Sequence, residues 1–209
     1  MKKLKNPIPK NNCKRNNYIT TPKMTTLSAV LLASLMVLSR NQVQAQWTSS
    51  VENANLKQTV TSTELEKTYN SNSATDVETV TSNLGNLSNS LTVEGTVADE
   101  VRSTIDLNSH IGFILPGGST LRLKDVEIAN GLSKGTGNRY GTAIYARTGS
   151  VITSIDNVVF SNNKVESTNY NCSGGAIFNM NTIGDISGKF NNNTVIGNHN
   201  VAGGYIGAE

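Results

Sequence analysis

Two short phrases recur in fixed order, about thirty residues apart, through the C-terminal half of the chain. Asp125-Val126-Glu127-Ile128-Ala129-Asn130-Gly131 returns as Asn157-Val158-Val159-Phe160-Ser161-Asn162-Asn163, and again in part as Gly188-Lys189-Phe190-Asn191-Asn192-Asn193. Ile128 to Phe160 is 32 residues and Phe160 to Phe190 is 30. A second phrase keeps step with the first: Gly141-Thr142-Ala143-Ile144-Tyr145, Gly174-Gly175-Ala176-Ile177-Phe178, then Gly203-Gly204-Tyr205-Ile206. Its glycines lie 33 and 29 residues apart. Two phrases in step at such a period mark stacked coils, where each repeat contacts only its neighbours.

The residues between the phrases specify strands. From Leu91 the apolar positions alternate, with Leu121-Arg122-Leu123-Lys124 the cleanest case, and Pro116-Gly117-Gly118 and Asn130-Gly131 supply turns. Each repeat holds about three short strands and no helical segment. That predicts an all-β fold, a parallel β-helix of about four coils, in which each strand pairs with its equivalents about 4.8 Å above and below. Like residues then form columns. The Ile128/Phe160/Phe190 column fills the interior, the Asn130/Asn162/Asn192 column stacks amides at a turn, and the glycine pairs serve a tight corner. The competing two-sheet sandwich needs hairpin turns every 8–12 residues and leaves the repeat unexplained.

Only 36% of the 209 residues are hydrophobic, which suits a core one coil wide. The net charge of +3 comes from the N-terminus. Eight of the 18 basic residues precede residue 46, so the remainder carries 10 basic against 15 acidic residues, a net of −5. Nothing gathers Lys or Arg into a phosphate-binding stripe, which argues against a nucleic-acid partner. The basic segment Met1 to Lys23 precedes an apolar run, Leu27 to Leu38, too short to cross a bilayer and of the right length for an export signal. A buried core helix or a retained anchor fits less well, because Arg40 and a Gln/Asn-rich stretch follow. The expected division is a signal peptide over 1–45, cut after Ala45, a linker or loosely ordered cap over 46–90, and a β-helix over 91–209. The long basic segment means either an extended signal or initiation at Met24. The weak helical spacing of Leu56, Val60, Leu65 and Tyr69 belongs to the cap, which a solenoid needs to cover its first edge. Cleavage would leave Cys172 as the one cysteine, a packing or turn residue outside any internal disulfide.

The phrases Gly174-Gly175-Ala176-Ile177 and Phe160-Ser161-Asn162-Asn163, with Phe190-Asn191-Asn192-Asn193, resemble the GGAI and FxxN repeats of polymorphic-membrane-protein-type autotransporter passengers. Ser103 to Asn108, Gly112 to Ile114 and Ser119 to Leu123 are similar to the opening coils of such passengers. The resemblance covers about 91–209. It implies a right-handed β-helix on a Gram-negative cell surface, commonly in adhesion. Gly141-Thr142-Ala143 departs from the glycine pair. The family's C-terminal translocator barrel has no counterpart here, which makes a truncated product or fragment the expectation.

A β-helix also hosts polysaccharide lyases and hydrolases, so the chemistry must be read from residues. Asp125, Asp156 and Asp185 recur but drift in register against the Ile/Phe column, as solvated turn residues do. Asp99-Glu100, as neighbours on a strand, would face opposite sides and could not share acid–base work. His199 lacks a second ligand at metal spacing. The reading therefore names no catalytic residue, metal or cofactor. Binding candidates are Arg139, Tyr140 and Tyr145, which flank the longest Gly-rich loop, and Tyr170 in another loop, because exposed Tyr and Arg favour interfaces. The expected function is an exported, surface-displayed or secreted passenger, not an enzyme, with an adhesin-like binding or structural role, and a host-cell surface protein or glycan as the candidate partner. A secreted carbohydrate-active enzyme and a non-functional remnant are the alternatives.

Overall fold

The computed structural model describes residues 47–168, 170–181, 183–196, 199–200 and 205–206. The signal-peptide segment lies outside them. Strand β1 (Thr48–Ser49) and helix α1 (Leu56–Thr61) precede a stack of coils. Level one holds β2 (Glu66–Asn70), β3 (Val77–Thr79) and β4 (Gly85–Asn86). Level two holds β5 (Ser90–Glu94), a hairpin of β6 (Val97–Ala98) and β7 (Val101–Arg102), then β8 (Thr104–Asp106) and β9 (Phe113–Leu115). Level three holds β10 (Thr120–Lys124), β11 (Glu127–Ala129), β12 (Leu132–Gly135), β13 (Arg139–Tyr140) and β14 (Ile144–Ala146). Level four holds β15 (Val151–Ser161), β16 (Lys164–Ser167), β17 (Asn171–Ser173) and β18 (Ile177–Asn179). Level five holds β19 (Ile183–Asn191), β20 (Thr194–Ile196), β21 (His199–Asn200) and β22 (Tyr205–Ile206).

The equivalents pair in parallel. On the first face β2, β5, β10 and the start of β15 stack, Lys67 over Leu91, Leu121 and Ile152. On the second face Ile105, Ile128, Phe160 and Phe190 align. On the third, Phe113, Ile144 and Ile177 align. The long strands β15 and β19 run across the first two faces, with a register shift between Ile155 and Val158. The fold is therefore a parallel β-solenoid of about four turns, and a sandwich of antiparallel sheets is excluded.

The interior column forms as the sequence expects, and the amide column forms in part. Phe160 is fully buried and its ring stacks on that of Phe190, with centroids 5.1 Å apart and planes 12° from parallel. Asn130, Asn162 and Asn192 all sit in the left-handed region (φ 58°, 53° and 52°), which Asn tolerates better than most residues. Asn192 Nδ2 donates to Asn162 Oδ1 at 2.7 Å, while Asn130 Nδ2 donates to Asp106 Oδ1 at 3.1 Å. A second column, one residue on, is buried. Asn163 Oδ1 accepts from the Gly131 N–H and Asn193 Oδ1 from the Asn163 N–H, each at 3.0 Å. Their amide NH2 groups donate to the Ile128 and Phe160 carbonyls at 2.9 Å. Gly174 (φ +64°) turns the corner into β18, where any Cβ would overlap the Ile177 carbonyl.

Three expectations need correction. The solenoid starts well before Leu91, because β2, β3 and β4 already pair in parallel with β5, β8 and β9. Helical spacing misled there: only Leu56 to Thr61 is helical, held by an Asn55–Gln58 capping box, and Tyr69 lies in β2. Asp99 and Glu100 are not strand neighbours. They form the two-residue turn of the antiparallel β6–β7 hairpin, with φ 49° and 67°, a twist that matches the flanking strands. Finally, Ile206 lies opposite Ile177, as the repeat expects, but β22 runs antiparallel to β18. A two-residue strand with a single neighbour satisfies the edge N–H and C=O groups in either sense.

Candidate functional site

The inward columns of the third face leave every second residue pointing out. Asn86, Ile114, Tyr145 and Phe178 share that outward column in successive levels. Tyr145 and Phe178 are half-buried, with centroids 5.7 Å apart. Tyr140, from β13, packs across both, 5.3 Å from Tyr145 and 4.7 Å from Phe178, with planes tilted by 32° in each case. The guanidinium of Arg147 lies over the Tyr145 ring, 5.1 Å from its centroid, where the ring's negative face attracts a cation. Arg147 is exposed and makes no ion pair among the described residues. Its backbone is fixed. The Arg147 carbonyl accepts from Asn181 Nδ2 at 2.6 Å and from Ser150 Oγ at 2.7 Å, and Asn181 Oδ1 accepts from the Gly149 N–H at 2.9 Å.

The four residues singled out in the sequence do not form one site. Tyr140 and Tyr145 come together. Arg139, their neighbour on β13, faces the opposite way: it aligns with Cys172, its guanidinium lies against Gly135, and its Nε is buried without a partner. Tyr170 is 51% exposed and makes no ring contact with the cluster. Phe178 and Arg147 are the members that the sequence reading missed. Phe178 was legible in principle, because it holds the place of Tyr145 in the repeated phrase.

Elsewhere the polar groups settle structural tasks. Glu166 pairs with Lys134 and Lys164, each at 2.9 Å, and these ammonium groups hold its carboxyl below the usual range. Cys172 is buried, its Sγ 3.3 Å from the Ile196 carbonyl, and burial pushes its thiol up. The recurring aspartates occupy three different columns: Asp125 bonds Asn157 Nδ2 at 2.7 Å, Asp156 aligns with Lys124, and Asp185 aligns with Ser154. Among the described residues no three His, Cys, Asp or Glu gather as metal ligands, and no helix is long and apolar enough to cross a membrane. The chain matches no family model, no curated protein and no solved structure.

Proposed function

We propose that the chain is an exported β-helical passenger, displayed on the cell surface or secreted, that acts as an adhesin-like binding module. The observation that carries this reading is the outward cluster of Tyr140, Tyr145, Phe178 and Arg147 on a rigid parallel ladder. Rings and a guanidinium held by sheet hydrogen bonds are preorganised, so little conformational freedom is lost on contact. Aromatic and Arg side chains also dominate the energetics of interfaces. The signal-like segment 1–45 supports export. The resemblance to autotransporter passengers supports display at an outer membrane, with a host-cell protein or glycan as partner.

The test has two parts. Protease shaving of intact cells, with N-terminal sequencing of the chain, reads display and cleavage after Ala45. Binding of the purified chain to host cells and matrix, compared with a Tyr145→Ala variant, reads adhesion. Retention of the chain inside the cell would remove the display reading, and equal binding by the variant would remove the cluster's part in it.

A further inference from the structure

The charges of this protein are segregated around the solenoid. The stretches 79–93, 107–124, 128–155 and 167–184 contain no Asp or Glu, and they hold all four strands of the third face, β4, β9, β14 and β18, together with β10 and parts of the other two faces. Every carboxylate of the coils lies outside those stretches, although residues 46–209 carry a net charge of −5 (10 basic, 15 acidic). Arg122 and Lys124 belong to β10 on the first face, where Lys124 pairs with Glu94; the cations near the third face fall into two kinds. Lys134 is already paired with Glu166, and Arg139 is turned away against Gly135. Arg147 is exposed, fixed by Asn181 through its backbone and unpaired among the described residues. The strip thus offers a half-buried aromatic cluster with an unpaired guanidinium over one of its rings, and no carboxylate from its own strands.

We propose that this strip binds an anionic polysaccharide. The pyranose rings pack against the Tyr140–Tyr145–Phe178 cluster, and a carboxylate or sulfate of the same chain pairs with Arg147 where it lies over Tyr145. The axial C–H bonds of a pyranose carry slight positive charge and suit the negative face of an aromatic ring. A guanidinium suits a planar or tetrahedral oxyanion through paired N–H donors. The strip is a flat outer face, whereas the anchors of protein interfaces fill desolvated pockets. Its outward column runs along the solenoid axis, which fits a linear polymer better than a compact ligand. A net negative body would repel such a polymer everywhere except where the carboxylates are missing, so charge also sets the docking orientation.

This inference rests on the reading of the strip as a recognition surface, and the experiment separates the two. The full chain is tested by calorimetry against heparin (sulfated), hyaluronan (carboxylated only), dextran (neutral) and polyglutamate (an acidic peptide). Heparin, hyaluronan or both should bind, more weakly as salt rises. Arg147→Gln and Tyr145→Ala should each lose roughly tenfold or more in affinity, the loss expected for one charge-assisted contact or one stacked ring. Tyr145→Phe, which keeps the ring, should retain binding, and circular dichroism checks that each variant is folded. Binding to neither anionic polymer, equal binding to dextran or polyglutamate, or indifference to Arg147→Gln would overturn the proposal. A displayed chain that still binds cells but neither polymer sinks the ligand class and leaves the adhesin reading standing. A chain that binds heparin but stays inside the cell does the reverse.

Discussion

Replacing Asn163 with Ala should show what the buried amide column contributes. Asn163 is fully buried. Its Oδ1 is the acceptor for the Gly131 N–H at 3.0 Å, and its Nδ2 donates to the Ile128 carbonyl at 2.9 Å and to Asn193 Oδ1 at 3.1 Å. The Ala variant strands a buried donor and removes a donor from a buried carbonyl, at about 1–3 kcal/mol each, so a loss of about 2–6 kcal/mol is expected. Asn192→Ala supplies the contrast. Asn192 is exposed, gives up one amide bond to Asn162 and leaves Ala in the left-handed region, which costs roughly 1–2 kcal/mol. Asn163→Asp adds a sign. Its carboxylate can still accept from Gly131 but faces the Ile128 carbonyl and Asn193 Oδ1, so its folded pKa should rise and stability should fall as pH rises through the carboxylate range. Urea unfolding followed by far-UV circular dichroism reads the coils, while fluorescence of Trp47, the sole tryptophan, reads the cap. Equal slopes with shifted midpoints give the energies. If Asn163→Ala lost no more than Asn192→Ala, the buried column would be ornament, and the argument would fail.

Other outcomes follow from the same geometry. Gly174→Ala should cost well over 1 kcal/mol, because the left-handed backbone and the overlap with the Ile177 carbonyl act together, whereas Gly118→Ala (φ +85°, with open space at the Cβ) should cost about 1 kcal/mol, by thermal melts. The Cys172 thiol, buried and pushed up, should resist iodoacetamide in the native protein and react promptly in urea, with peptide mapping to separate it from Cys13; fast native alkylation would contradict its burial. Tyr69 is raised above its ordinary value of 10, first by burial and then by Glu78, so its neutral form supports the fold fully below that value. Above it the unfolded phenol ionises and stability drops with rising pH. Tyr69→Phe should abolish that part of the alkaline loss of Trp47 fluorescence, and the comparison isolates the phenol from Lys67, whose burial-lowered ammonium acts in the opposite sense.

Repetition made the coils legible, and its absence hid the rest. Ile128, Phe160 and Phe190 could be aligned on paper because like residues stack in like environments. Level one breaks the repeat: it lies only 24 residues before level two on the first face (Glu66 opposite Ser90) and lacks both phrases, so the stretch read as a linker. The β6–β7 hairpin was hidden because alternation specifies a strand without specifying its direction. The aromatic strip was half legible. Tyr145 and Phe178 share a slot in the phrase, but Tyr140 reaches them from a different strand, and Arg139 and Tyr140 separate because adjacent strand residues face opposite sides.

Level one also shows how the stack is closed at its N-terminal end. In the inward columns, Lys67 stands where the next level has Leu91, Glu78 where it has Ile105, and Gly85 where it has Phe113. Lys67 and Gly85 meet the cap directly, and Glu78 meets it through Tyr69. Lys67 Nζ donates to the Val60 and Ser62 carbonyls at 3.4 and 2.8 Å, at the C-terminal end of α1 where a cation is favoured, and also to the Ser88 carbonyl. Glu78 bonds the Tyr69 hydroxyl, and Tyr69 stacks on Trp47 at 5.3 Å. Gly85 takes a backbone with φ +91°, which favours glycine, beside Thr61 of the helix. An inward charge is a known device for keeping another strand from adding to an edge. Turn N–H groups are served from both sides: those of Gly131, Gly149, Asn157 and Asn163 by Asn163, Asn181, Ser187 and Asn193 of the following level, and those of Ile111 and Asn171 by Asn83 and Asn138 of the preceding one. Inner levels are thus tied to both neighbours, whereas the first level is finished by α1 and by β1, which pairs antiparallel with β2. The Tyr145–Phe178 strip lies on inner levels, where β14 and β18 each pair with a strand on either side.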